Sequence, residues 1–123
     1  MRKLYALFAF DVEDYIGPET DEALKRLLDI FHAQGAQGTW KLVGEKLRVM
    51  ESRGRRDIIR ALAQQDVGYH TNFHSRHPTV AEYLQNKEWD EGVAEFARHE
   101  RPGYDDIRRV FGRAPVCYGQ SGD

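Results

Sequence analysis

Two histidines four residues apart are the side chains of this sequence best suited to bind a metal ion. His70 and His74 lie in the segment GYHTNFHS, directly after a short apolar run. A helical turn after residue 70 would place both imidazoles on one side of the chain, close enough to share one ion. His77 could reach the same ion, but Pro78 biases it toward an extended conformation. Packed histidines without a metal are the alternative, because H-x-x-x-H alone has low specificity.

Three carboxylates within four residues follow the first apolar run of the chain. Asp11, Glu13 and Asp14 repel one another when they fold close together, unless a cation or hydrogen-bond donors compensate. Zinc and the hard divalent ions both accept carboxylate oxygen ligands. A solvated acidic loop is the alternative interpretation. Combined with the two histidines, one of these acids completes a two-histidine, one-carboxylate set that leaves positions for water.

The predicted order of elements brings these two features to one edge of a sheet. Strands are predicted over residues 4–11, 37–43 and 66–70, and helices over 20–35, 45–51 and 57–65. This alternation is typical of a parallel sheet with right-handed crossovers, whose active sites lie at the carboxyl ends of the strands. Because the acids end the first strand and the histidines follow the third, we expect them to meet in space.

The second half of the sequence predicts three further helices and a fourth strand. The helices span residues 80–84, 89–99 and 104–111, with a break at Pro102-Gly103, and the strand spans 116–118. No helix follows to cover that strand. We therefore expect residues 1–123 to be part of a longer domain, or to be completed by a second copy in a homo-oligomer.

Composition narrows the classes of partner. A formal net charge of −2, from 18 basic and 20 acidic residues, provides no field that would hold nucleic acid or an anionic membrane surface. The single cysteine, Cys117, has no internal partner for a disulfide. The apolar run at residues 4–10 is too short for export or for crossing a bilayer, so we expect a cytoplasmic protein.

These motifs together resemble those of polysaccharide deacetylases, carbohydrate esterase family four. The resemblance rests on the acidic motif after the first strand, on GTWKLVGE at 38–45 and on GYHTNFHS at 68–75, and it covers most of residues 4–75. It implies a distorted seven-stranded (β/α) barrel, of which this chain would hold the first half. It also implies metal-dependent removal of N-acyl groups from an amino sugar or polysaccharide.

The resemblance assigns roles to individual residues. Asp11 would be the catalytic base, and His70 and His74 would bind a divalent metal, with zinc favoured and cobalt or manganese as alternatives. For the third metal ligand, Asp14 is the first choice. Glu13, which shares a strand face with Asp11, is the second.

Two aromatic residues are candidates for the substrate-binding groove. Trp40 lies in the second strand, where it could line the pocket or belong to the core. Tyr118 ends the fourth strand, and the resemblance implies that a backbone N–H near it stabilises the oxyanion. The family's Arg-x-Pro segment is missing at this point, because Tyr118 is followed by GQSG and because Arg113 and Pro115 precede the strand.

Three functions therefore remain open at this stage. The first is a deacetylase that acts on an N-acetylated saccharide. The second is a hydrolase of another non-peptide C–N bond in a small amide. The third is a catalytically inactive fragment that serves as an interaction module.

Overall fold

The computed structural model describes residues 2–121, which form a parallel sheet with helices packed against it. The strands are β1 (Ala9–Val12), β2 (Thr39–Leu42) and β3 (Asp66–Tyr69), in the order β1-β2-β3. The helices are α1 (Glu19–Ala33), α2 (Gly44–Ser52), α3 (Arg56–Leu62), α4 (Val80–Leu84) and α5 (Trp89–Phe111). The predicted α/β alternation and the parallel sheet are confirmed, whereas the seven-stranded barrel and the partial-domain assignment stay predictions.

The two faces of the sheet differ in character because successive strand residues point to opposite sides. Phe10, Trp40 and Val67 are aligned across the strands, and Trp40 stacks on Phe10 with ring centroids 4.5 Å apart. Apolar residues of α1, α2 and α3 cover this face and form the core: Leu24, Leu28, Phe31, Leu47, Met50, Ile58 and Leu62. The next residues in register are Asp11, Lys41 and Gly68, so the opposite face carries charge.

The first strand is shorter than predicted. Residues 4–8 form no part of the strand, and Leu4, Tyr5 and Leu7 are each at least 84% exposed. The register explains this difference, because Ala9 pairs with Thr39, the first residue of β2. Before Ala9, the described contact with β2 is the hydrogen bond from Thr39 N–H to the Phe8 carbonyl at 2.8 Å, and the chain forms no further ladder.

The predicted helix break at Pro102 is wrong, because α5 runs without interruption from Trp89 to Phe111. Proline removes one helical hydrogen bond and hinders the preceding carbonyls. Here nearby carbonyls find donors outside the helix. The Asn72 side-chain amide donates to the His99 carbonyl at 3.1 Å, and the Tyr69 hydroxyl donates to the Glu100 carbonyl at 2.8 Å.

Gly103 allows α5 to pack closely against the end of β3 and against the loop that follows β3. A Cβ atom at this position would lie 2.6 Å from the Tyr69 hydroxyl oxygen and 2.9 Å from Asn72 Oδ1. Both distances are far below van der Waals contact. A glycine is therefore required where the helix crosses the end of the strand.

The fourth predicted strand is present as a single parallel bridge between Tyr69 and Tyr118. Its backbone hydrogen bonds run from Tyr69 N–H to the Cys117 carbonyl at 2.8 Å and from Gly119 N–H to the Tyr69 carbonyl at 2.9 Å. The segment 117–119 thus lies beside β3, and the predicted strand over residues 116–118 is reduced to this bridge. No helix in the described part of the chain has the length and apolar content needed to cross a bilayer.

A buried ion pair fixes the start of α1 against α2. Lys46 Nζ lies 2.5 Å from Asp21 Oδ1, with side chains 2% and 1% exposed, and Arg53 approaches Asp21 Oδ2 at 3.1 Å. Burial raises the pKa of the Asp21 carboxyl, but hydrogen bonds from Lys46 and Arg53 outweigh this effect and hold the pKa below its usual value. Because the pair anchors residue 21, it also limits the movement of the loop that carries the acidic cluster.

Replacing Asp21 should measure how much this ion pair contributes to the free energy of unfolding. Asp21→Asn leaves the Lys46 ammonium buried without its closest counter-charge, so we expect the free energy of unfolding at pH 7 to fall by about 3–5 kcal/mol. Because the Asp21 pKa is lowered in the folded state, this stabilisation is present above pH 3.8 and is lost as the pH falls further. Denaturant unfolding at several pH values measures both effects.

Asp29→Asn is the matched control, because Asp29 pairs with Lys25 on the exposed face of α1. We expect a loss of less than about 0.5 kcal/mol for this variant. Equal losses in the two variants would show that the buried pair contributes no more than a surface pair.

Candidate metal centre

His70 occupies the first position after β3, where segment 117–119 fixes its ring. The side chain is nearly fully buried, and its Nδ1 lies 2.7 Å from the Gly119 carbonyl oxygen. Since a carbonyl only accepts hydrogen bonds, Nδ1 carries a proton and donates it. His70 Nε2 then points away from the segment, toward the end of β1.

Glu13 lies directly opposite both histidines. Its Oε2 atom is 2.9 Å from His74 Nε2 and 3.3 Å from His70 Nε2. One ligand atom from each of these three residues lies within 4.8 Å of the others, and among the described residues this is the His/Cys/Asp/Glu group close enough to hold an ion. Two imidazoles and one carboxylate form a donor set that suits zinc and related divalent metals.

The surroundings of His70 require additional positive charge in this group of residues. The ring faces an acceptor at each nitrogen, the Gly119 carbonyl at Nδ1 and the Glu13 carboxylate at Nε2. A neutral imidazole has one N–H, so it can satisfy only one of them. The arrangement is stable with an imidazolium, or with a cation between Nε2 and the carboxylate, and the residues present therefore fit a bound metal.

A loop, not a helical turn, brings the histidines together. Thr71 and His74 both adopt positive φ angles, 64° and 54°, and the Thr71 hydroxyl accepts a hydrogen bond from His74 N–H at 3.0 Å. The two imidazole centroids are 5.3 Å apart. The His74 ring is held from its other side by Ser75 Oγ, which lies 2.6 Å from Nδ1.

The structure places Glu13, and not Asp14, at the histidines. Asp14 Oδ1 accepts hydrogen bonds from the backbone N–H groups of Ile16 and Gly17, at 2.9 and 3.4 Å. These hydrogen bonds form an Asx-type turn after the end of β1, so the Asp14 carboxylate is bound within its own loop. Strand alternation instead directs Glu13 to the same side as Asp11.

Asp11 lies next to the group but is paired with a lysine. Lys41 Nζ is 2.6 Å from Asp11 Oδ1, and His70 Nε2 is 3.9 Å from Asp11 Oδ2. The hydrogen bond from Lys41 holds the pKa of the Asp11 carboxyl below its usual value, with smaller help from the two histidines. Asp11 is therefore an ionised carboxylate at neutral pH.

Sequence reasoning missed Lys41 as a member of the site, although a signal existed. A lysine interrupts the apolar segment that forms β2, and it is aligned with Asp11 across the sheet. Charged residues in a central strand are rare without a partner. This pairing could have been inferred once the register was known.

The two aromatic candidates lie away from the histidines. Trp40 is fully buried and donates to Gln65 Oε1 at 3.3 Å, although it borders a cavity of about 260 Å³ together with Asp11 and Glu13. Tyr118 packs against Tyr69 and Phe96, with centroids 6.0 and 5.6 Å away. Its ring thus lies on the α5 side of the sheet.

His77 does not join the group either. Its Nδ1 atom lies 2.8 Å from a carboxylate oxygen of Glu82, on the exposed surface at the start of α4. Thr79 and Glu82 form a capping box there, which uses the same carboxylate. His77 therefore belongs to the helix cap.

Comparison with known proteins gives matches at the level of structure. No protein-family model and no curated protein matches the sequence significantly. The fold matches crystal structures of BA3943 of Bacillus anthracis, a CE4 family pseudoenzyme: the wild type aligns with a TM-score of 0.62 and 18% identity over 93% of this chain and 34% of that chain. A mutant with restored enzymatic activity aligns with a TM-score of 0.62 and 19% identity over 94% and 36%.

A further BA3943 mutant aligns with a TM-score of 0.64, at 18% identity, over 93% of this chain and 35% of that chain. The chain therefore spans about a third of the length of these structures, which is consistent with an N-terminal part of the CE4 fold. The resemblance inferred from the motifs is confirmed at the level of the fold.

The pairing of Asp11 with Lys41 can be tested directly. Lys41→Met removes the hydrogen bond that contributes most to lowering the Asp11 pKa, so we expect that pKa to rise toward 3.8. NMR titration of the side-chain carboxyl groups in chelator-treated protein measures it. Lys25→Met, which removes the partner of the exposed Asp29, should leave the Asp11 pKa unchanged, and an unchanged value in Lys41→Met would contradict the pairing.

Proposed function

We propose that this chain provides the metal-binding part of a hydrolase that removes N-acyl groups, acetyl above all, from an amino sugar or polysaccharide. The observation that carries the proposal is the group of Glu13, His70 and His74, in which His70 faces an acceptor at both ring nitrogens. The CE4-like fold supports the same class of reaction. Zinc is the favoured ion, with cobalt and manganese as alternatives.

In the proposed site each residue has a distinct task. Glu13 Oε2, His70 Nε2 and His74 Nε2 would hold the metal, and the Gly119 carbonyl orients His70 so that Nε2 is free of a proton. A divalent ion bound there supplies Lewis-acid polarisation of a carbonyl and lowers the pKa of bound water. Asp11, kept ionised by Lys41, accepts the proton of the attacking water.

Substrate contacts by Trp40 and Tyr118 gain little support from the geometry. The Trp40 side chain has no exposed surface, and the Tyr118 ring lies against α5. The Gly119 N–H donates to the Tyr69 carbonyl, so it is occupied within the sheet.

A second candidate is a metal-binding protein without hydrolytic activity. Two observations favour it: the structures of similar fold include a pseudoenzyme, and the hydrogen bond from Lys41 lowers the pKa of Asp11, which makes Asp11 a weaker general base. The two candidates make the same prediction about metal binding. They differ in whether N-acyl bonds are cleaved.

Metal binding should depend on the three grouped residues. We expect His70→Ala and His74→Ala each to abolish stoichiometric zinc binding, and Glu13→Gln to weaken it at least about tenfold, because each removes one ligand. Isothermal titration calorimetry with zinc, and the visible spectrum of the cobalt form, measure the effect.

Asp14→Asn and His77→Ala are the matched controls, because both residues have local partners outside the group. Both variants should bind zinc as the wild type does. Full retention of zinc by His70→Ala and His74→Ala would disprove the site. Loss in Asp14→Asn together with retention in Glu13→Gln would instead identify Asp14 as the ligand.

Hydrolysis should depend on Asp11 separately from metal binding. With zinc-loaded protein and N-acetylglucosamine oligomers, we expect Asp11→Asn to retain zinc and to lower acetate release by about 100-fold or more. Small amides assayed in parallel separate a saccharide deacetylase from a hydrolase of other C–N bonds. Zinc binding without acetate release in the wild type would support the non-catalytic candidate.

A further inference from the structure

A second cavity, of about 210 Å³, lies beside the metal centre. His74 borders it, as do Phe73, Arg76 and Thr79 of the same loop, and Tyr83 of α4 closes one side. His74 therefore belongs to both the grouped ligands and the cavity wall. For a sugar whose acyl group reaches Glu13, His70 and His74, this cavity is the adjoining space for another substituent of the ring.

Arg76 is held at the cavity by stacking. Its guanidinium carbon lies 4.8 Å from the centroid of the Phe73 ring, and the Arg48 guanidinium lies 5.1 Å from the same centroid. The Phe73 backbone is fixed in turn, because its carbonyl accepts a hydrogen bond from the Tyr15 hydroxyl at 3.1 Å. A guanidinium has five N–H donors, so this contact with one ring leaves donors available to other partners.

No carboxylate of residues 2–121 forms an ion pair with Arg76, which differs in this respect from Arg48. The Arg48 guanidinium bonds to Glu45 at 2.7 Å and to Asp106 at 2.9 Å, so its charge is satisfied within the fold. Arg76 is exposed and borders the cavity. It is therefore the guanidinium at this cavity that can bind a ligand.

The one carboxylate that borders the cavity is already compensated. Glu100 accepts hydrogen bonds from Asn72 N–H at 2.7 Å and from the Tyr83 hydroxyl at 3.1 Å, and it shares with its own backbone carbonyl the single proton of the Tyr69 hydroxyl, which lies 2.8 Å from both acceptors. Three donors on one buried carboxylate leave it little capacity to pair with Arg76. The cavity thus presents a positive group to its contents.

We infer that Arg76 recognises a carboxylate on the substrate, so that the site is adapted to acidic N-acyl amino sugars. The inference rests on the proposed function and names its substrate class. A planar guanidinium binds a carboxylate through two parallel N–H···O bonds, which a neutral hydroxymethyl group cannot form. Arg76 is a specificity-determining residue in this arrangement and takes no part in bond cleavage.

The test uses two sugars that differ at one carbon, N-acetylglucosamine and N-acetylglucosaminuronic acid. Binding to chelator-treated protein is measured by NMR titration, so that a metal cannot attract the carboxylate. We expect the wild type to bind the uronic acid about tenfold or more tighter than the neutral sugar. Arg76→Gln should remove this preference, so that the two sugars bind with about equal affinity.

Two further variants identify the residue responsible. Arg60→Gln removes an exposed arginine on α3, away from the cavity, and should keep the full preference. Arg76→Lys should keep part of it, because the charge remains while the paired geometry is lost. Absence of a preference in the wild type, or a preference that survives Arg76→Gln, overturns the inference.

The outcome is distinguishable from failure of the proposed function. Acetate release from both sugars, measured with zinc-loaded protein, tests the hydrolase, whereas the affinity ratio tests Arg76 alone. If the preference for the uronic acid depends on Arg76 but neither sugar releases acetate, the proposed hydrolase function is rejected and the carboxylate-binding role of Arg76 is retained. A preference lost in His70→Ala but kept in Arg76→Gln would place the carboxylate at the metal ligands and reject the inference.

Discussion

The candidate site depends on one imidazole held between two acceptors. His70 donates to the Gly119 carbonyl through Nδ1 and faces the Glu13 carboxylate through Nε2. This arrangement requires three separate pieces of chain to meet: the end of β1, the end of β3 and segment 117–119. The parallel sheet achieves this because all three leave it at the same edge. A proton or a metal ion at Nε2 then balances the charges.

Two buried carboxylates hold the loops on either side of that imidazole. Asp21 binds Lys46 and Arg53, and so fixes the chain that follows Glu13. Glu100 binds Tyr69, Tyr83 and the backbone of Asn72, and so fixes the chain that carries the histidines. Neither carboxylate touches the proposed metal. Their contribution is a rigid scaffold, which reduces the cost of bringing charged ligands together.

Much of the fold and part of the site could be predicted from the sequence. Apolar runs that end in acids or histidines predicted the alternation of strands and helices, the parallel sheet and the shared edge, because the spacing of apolar residues is visible within a short stretch of sequence. The choice between Glu13 and Asp14 required the exact end of β1, since one residue reverses the direction of a side chain. The continuous helix through Pro102 depends on donors from Asn72 and Tyr69, which are distant in sequence. The pairing of Asp11 with Lys41 likewise required the register between strands.

The crossing of α5 over the end of β3 links the metal-binding loop to the longest helix of the chain. The side chain of Asn72 donates a hydrogen bond to the His99 carbonyl, and the Tyr69 hydroxyl donates one to the Glu100 carbonyl. Tyr69 immediately precedes His70, and Asn72 lies between the two histidines. Opening the loop would expose these carbonyls at the point where proline has already weakened the helix. The loop and the middle of α5 therefore constitute one cooperative unit, and amide exchange in the helix should report on ligand binding at the loop.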